Sequence, residues 1–324
     1  MEQNKKPRHI GKILLMTAAA VLFLPGCGNE YFVLHPAGPV GQTEYHLIVL
    51  STILVAIVII PVILLLAFIV IRYRDKPNNR APYRPEWSES KTLEIIWWGI
   101  PILIIAILGV FTAKTTFALT RPPQSGTSTK PMTVYVTSLD WKWLFEYPGQ
   151  NVATVNYVEI PTNVPINFVL TSDAPMNSFW VPQLGGQEYT MPGMAMRLWL
   201  EADKPGTYFG TGANFSGVGF SHMHFNVIAK SQSEFDSWVQ QVKSTQPALT
   251  KAGYDNLVKP STLDGTESFS SFPAGLFNDT VSKNGGQYMG NMLKDTTGTG
   301  QSGNMSSSSR MGSMDMNNMS GMNK

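Results

Sequence analysis

The stretch YFGTGANFSGVGFSHMHFNV, from Tyr208 to Val227, decides the fold. Its end alternates in character. Successive strand residues face opposite sides, so Met223, Phe225 and Val227 are expected in a core while His222 and His224 face water. Lys204-Pro205-Gly206 supplies a turn just before it. The same period of two recurs upstream at Val134 and Val136, at Ile166, Phe168 and Leu170, and at Met196, Leu198 and Leu200, with another turn at Tyr147-Pro148-Gly149. Short strands at this spacing predict an antiparallel sandwich or barrel over residues 131–229.

Working toward the N-terminus, residues 118–130 are a linker rich in Pro, Gly and Ser, and ahead of it the chain turns apolar. Only 14% of the 324 residues are charged and 43% are hydrophobic, a membrane-type balance. The net charge of +2 argues against a nucleic-acid partner. No charge interrupts Leu47–Ile71 or Ile95–Ala113, so transmembrane helices are expected over 47–71 and 95–117. Arg72, Arg74, Lys76, Arg80, Arg84 and Lys91 lie between them, whereas 28–46 holds no Lys or Arg. The loop 72–94 is therefore expected in the cytoplasm and the C-terminal domain outside. Pro61 and Pro101 fall within the spans, where neighbouring helices satisfy the freed carbonyls. Trp97 and Trp98 suit the headgroup level.

Lys5, Lys6, Arg8 and Lys12 precede an apolar run and Pro25-Gly26-Cys27, the plan of a signal peptide over 1–26 followed by a short outer segment at 27–46. Cys27, the only cysteine, is placed like the acylated Cys of a bacterial lipobox. The alternative is an uncleaved anchor with an inert thiol. With one cysteine no intrachain disulfide forms.

The loop also carries a resemblance. Gly212, Asn214, Ser216, Phe220 and Met223 keep the spacing C-x-E-x-C-x3-H-x2-M found in subunit II of the haem–copper terminal oxidases, and Asn177 in PMNSFW stands at a further family His. Only Met223 retains a ligand. With NSFW, PQLGGQ and the PGTY turn, the chain from the first span to about Ala229 is identified as a member of that family, similar to its quinol oxidase branch and to the bo type.

The resemblance implies a cupredoxin-like sandwich, no cofactor bound by this chain, and haems and copper in a partner subunit I. It further implies additional small membrane subunits, quinol as substrate of the complex, and a bacterial cytoplasmic membrane location. Trp141, in Asp140-Trp141-Lys142-Trp143, holds the place of the aromatic on the family's electron route and here has no metal to feed. Asp173, Glu188 and Asp203 are interspersed with Lys142, Arg197 and Lys204, without an acidic patch for a basic cytochrome. Glu94, in L-E-x-x-W, corresponds to the cytoplasmic entrance of a proton path into subunit I. It reads equally as an interfacial charge facing water.

Two other roles compete: a cytochrome c oxidase subunit, which the residues at 212, 216 and 220 do not support, and a membrane-tethered copper carrier. The carrier would use His222, whose imidazole shares a strand face with that of His224, and the tail Met311, Met314, Met316, Met319 and Met322, whose thioethers suit reduced copper. Before that tail, Ser231 and Glu234 form a capping box ahead of Phe235, Trp238, Val239 and Val242. A second short helix is expected between Thr250 and Pro260. A helical appendage over 230–282 and a disordered tail over 283–324 complete the reading. The chain shows no haem-attachment Cys-x-x-Cys-His, nucleophile motif or phosphate loop.

Overall fold

A computed structural model describes residues 31–77, 79–82, 85–123, 130–263 and 265–286. The signal peptide, Cys27, Arg84 and the Met-rich tail lie outside the described residues.

Helix α1 spans Pro39–Arg72, with Pro39 at its first position, where its missing N–H costs nothing. Helix α2 spans Lys91–Leu119 and opens on Ser90, whose Oγ accepts from the Leu93 N–H at 3.5 Å. Both are apolar all round and their middles are exposed, which is stable only in lipid. At 1.5 Å per residue α1 is about 50 Å long, well beyond the ~30 Å hydrocarbon core. Its first turns thus leave the membrane. The helix begins at Pro39, ahead of the expected start at 47 and inside the short outer segment, because those turns pack on the outer domain.

That domain is a sandwich of two sheets. One has the order β11-β3-β2-β1-β5-β8 and the other β4-β10-β9-β6-β7. The strands are β1 Met132–Leu139, β2 Lys142–Tyr147, β3 Val152–Val155, β4 Tyr157–Pro161, β5 Ile166–Ser172 and β6 Asn177–Trp180. They continue with β7 Glu188–Thr190, β8 Met196–Leu200, β9 Gly206–Gly212, β10 His224–Lys230 and β11 Glu267–Phe269. The expected core residues Val134, Val136, Ile166, Phe168, Leu170 and Leu200 are buried, and Met196 and Leu198 pack against the core. But β1 and β5 are covered on both faces, so the intervening Tyr135, Thr137, Asn167 and Val169 are buried too. Aromatic rings fill its centre. Phe179 stacks on Phe225 at 4.8 Å between centroids, and Trp143 sets its edge to both at 5.5 Å. The pairing is not purely antiparallel, since β1 runs parallel to β5 and β4 to β10. Strands that cross between the two sheets return beside partners of the same direction, and period-two patterning carries no information about this.

Ser231 caps α3, Gln232–Thr245, in the expected capping box, and Phe235, Trp238, Val239 and Val242 join the core. Helices α4, Lys251–Leu257, and α5, Leu276–Lys283, cover the outer face of the larger sheet through Tyr254 and Leu276, joined by Leu249 from the turn ahead of α4. The appendage is not wholly helical, because β11 pairs with β3 and extends that sheet. Lys283, taken from the sequence as the start of the tail, ends α5 and bonds the Asp173 carboxylate at 3.1 Å. Lys142 is buried, and its Nζ donates to the carbonyls of Lys259 and Ser261 at 3.0 Å, tying β2 to the appendage. Burial lowers its pKa.

Candidate functional site

The degenerate ligand positions meet where β6, β9 and β10 converge. Phe179 pairs with Gly212, and the Gly212 N–H donates to the Met223 carbonyl at 3.0 Å, which brings Asn177, Gly212 and Met223 together. Asn177 is fully buried. Its Nδ2 donates to Ser216 Oγ at 3.1 Å and to Met223 Sδ at 2.9 Å. Its Oδ1 accepts from the backbone N–H of Ser178 at 2.7 Å and of Asn214 at 3.4 Å. One amide therefore bridges three of the other positions. A Cβ on residue 212 would lie 2.8 Å from Asn177 Oδ1, so glycine there is what makes room for the amide.

Asn214 looks outward from this cluster, donating to the Met176 carbonyl at 3.2 Å. Phe220 contributes no polar atom; its ring meets that of Phe215 edge-on at 5.7 Å. Trp141 closes the loop from above. Its φ of 67° turns the indole over Gly217 and Gly219, and its Nε1 donates to the Ser216 carbonyl at 3.2 Å. A Cβ at Gly219 would stand 2.3 Å from that ring.

The two histidines do not share one strand. His222 ends a 3-10 turn over Phe220–His222, and β10 begins at His224. The loop must rise from the buried cluster before pairing resumes, which breaks the strand at this point. The burial reading itself is correct: Met223, Phe225 and Val227 are buried and both imidazoles are exposed. With Asn156, Phe209 and Asn226 the imidazoles line an open cleft of about 360 Å³. Among the described residues no group of three or more His, Cys, Asp or Glu side chains gathers as a metal site. Glu94 is exposed in the first turn of α2, where a negative charge suits the helix dipole.

Sequence reasoning missed the junction of membrane helix and sandwich. The Ala37 N–H donates to the Gln183 carbonyl at 2.8 Å, the Gly41 N–H to the Leu184 carbonyl at 2.9 Å, and the Asp203 N–H to the Ala37 carbonyl at 2.9 Å. Glu44 Oε1 accepts from the Gly186 N–H at 2.9 Å. Gly38 sits so close that a Cβ would fall 1.9 Å from the Glu201 carbonyl oxygen. The segments PQLGGQ and EAD thus clamp the outer end of α1. Gly38 and Gly41, with Gly185 and Gly186 opposite them, were the available signal.

The chain that builds these two spans and this sandwich matches three family models. Cytochrome C oxidase subunit II, transmembrane domain, matches over residues 37–115; its periplasmic domain matches over 149–231; and the COX Aromatic Rich Motif matches over 243–289. The fold is that of an oxidase subunit II. Quinol oxidase subunit 2 of Bacillus cereus is 49% identical over 257 residues, covering 79% of this chain and 88% of that protein. Ubiquinol oxidase subunit 2 of Acetobacter aceti is 44% identical over 84% and 88% of the two chains, and cytochrome bo(3) ubiquinol oxidase subunit 2 of Pseudomonas putida 40% identical over 92% and 93%. The chain belongs to the quinol oxidase subunit 2 family.

Proposed function

We propose that the chain is the metal-free subunit II of a proton-pumping membrane complex that oxidises quinol and reduces oxygen to water. The observation that carries this is the Asn177 amide bridging Ser216 and Met223 where a binuclear copper centre would need thiolates and imidazoles. Gly212 and Phe220 offer no donor, the Ser216 hydroxyl is a hard ligand that stays protonated, and the surviving thioether is already engaged by the amide. These side chains do not fit such a centre, so no electron from a soluble cytochrome enters here. The chain then contributes structure rather than a catalytic site. Its hairpin packs against subunit I, which carries the haems, a copper ion and the quinol site, while the sandwich caps the extracytoplasmic face beside further small subunits.

Two residues extend this reading. Glu94, at the cytoplasmic mouth of α2, admits protons to the path into subunit I. Cys27 is acylated and anchors the mature N-terminus in the membrane.

The deciding experiment is to purify the complex containing this chain in detergent, compare quinol with soluble cytochrome c as reductant, and record its paramagnetic spectrum. Rapid turnover with quinol alone, and no mixed-valence two-copper signal, is the expected result. Such a signal, or rapid oxidation of cytochrome c, overturns the proposal.

A further inference from the structure

At the inner end of α1 the cations of the loop converge. Arg72 closes the helix, and with Arg74, Lys76 and Arg80 it lines one cleft of about 460 Å³. The backbone supplies the cause. Asn79 Nδ2 donates to the carbonyls of Arg72 at 3.3 Å and Arg74 at 3.0 Å, and its own N–H to that of Lys76 at 3.1 Å. The Ala81 N–H returns to Asn79 Oδ1 at 2.9 Å. These bonds fold the chain back on the helix end. Phe68 and Ile71, both exposed on the last turns of the helix, form the apolar wall.

None of the four cations has a carboxylate within ion-pair distance among the described residues, and the neighbouring Asp75 does not line the cleft. A cytoplasmic bias of Lys and Arg accounts for their presence but not for their convergence. Several cations without counter-ions, against an apolar wall at the end of a span, suit an anion that carries its own hydrocarbon.

We propose that this cleft binds the phosphate headgroup of an anionic phospholipid of the cytoplasmic leaflet, with the acyl chains along Phe68 and Ile71. Guanidinium groups meet phosphate oxygens in pairs, and the bound lipid fixes the loop that leads to α2.

The test uses the purified complex containing the full chain, delipidated in neutral detergent. It is titrated separately with short-chain phosphatidylglycerol, short-chain phosphatidylcholine and inorganic phosphate, with saturable binding read by native mass spectrometry and thermal shift. Phosphatidylglycerol binds and the other two do not. At about fivefold per cation removed, R74Q/R80Q weakens that binding roughly 25-fold, while R74K/R80K retains most of it. N79A weakens it several-fold with no change in net charge, and K91Q, an equal charge loss outside the cleft, leaves it unaltered. Unchanged haem spectra show that each variant complex has assembled. Phosphatidylcholine or inorganic phosphate binding as tightly as phosphatidylglycerol overturns the lipid assignment. N79A binding like the wild type overturns the cleft, leaving diffuse charge as the whole effect.

Discussion

Replacing Asn177 by Leu keeps the volume of the side chain and removes its hydrogen bonds, which tests whether the amide has taken over the structural work of a metal. In the structure Asn177 is fully buried and makes four side-chain hydrogen bonds, to Ser216, Met223, Ser178 and Asn214. At about 1 kcal/mol net for a typical bond, and less for the thioether and for the 3.4 Å contact, the bonds amount to about 2–3 kcal/mol. Leaving Ser216 Oγ without its amide partner adds to this. A loss of about 3 kcal/mol in a domain of this size lowers Tm by about 6–12 °C. The assay is thermal unfolding of the full chain in detergent, wild type against Asn177→Leu at one scan rate, with limited proteolysis of the loop 213–219 alongside. Faster cleavage there should accompany the drop in Tm. Unchanged Tm and unchanged cleavage would refute the reasoning, because the loop would then be held by Trp141 and the backbone alone.

Three further outcomes are expected. Glu146 lies fully buried on β2 with neither carboxylate oxygen hydrogen-bonded, and burial raises its pKa from 4.5 to about 8. Because the folded state holds this proton more tightly than the unfolded one, stability is fully present below pH ~4.5 and falls by about 1.4 kcal/mol per unit as pH rises toward ~8. Glu146→Gln removes that slope, so its Tm advantage over wild type should grow between pH 5 and 8; parallel pH profiles count against the assignment. Gly38→Ala forces a methyl against the Glu201 carbonyl and should cost about 1–3 kcal/mol, seen as earlier proteolysis at the junction of α1 and the sandwich. Glu94→Gln should cut oxidase turnover to a minority of the wild-type rate, most severely at high pH where protons are scarce; unchanged turnover leaves Glu94 an ordinary interfacial charge.

Much of the molecule follows from local pattern. The charge-free runs between Leu47 and Ile71 and between Ile95 and Ala113, the alternation at 223–227, and the capping box at Ser231 and Glu234 each depend on residues near one another in sequence. Absence of thiols is likewise a property of composition, so the lack of a thiolate pair at 212 and 216 needs no coordinates. What fills the gap does need them. That Asn177 reaches Ser216 and Met223, that Gly38 and Gly41 press against the segments 183–184 and 201, and that Lys142 is a buried clamp rather than a surface charge are contacts between distant parts of the chain. The three-residue strand β11 is too short to show a period, and only the free edge of β3 makes it a strand. Sequence alone therefore determined which elements form and which donors are missing, because propensity, hydropathy and ligand chemistry are carried by single residues and their neighbours. Tertiary structure decided how the vacated metal loop is held and how the membrane helix joins the sandwich, because both rest on packing between segments the sequence leaves far apart.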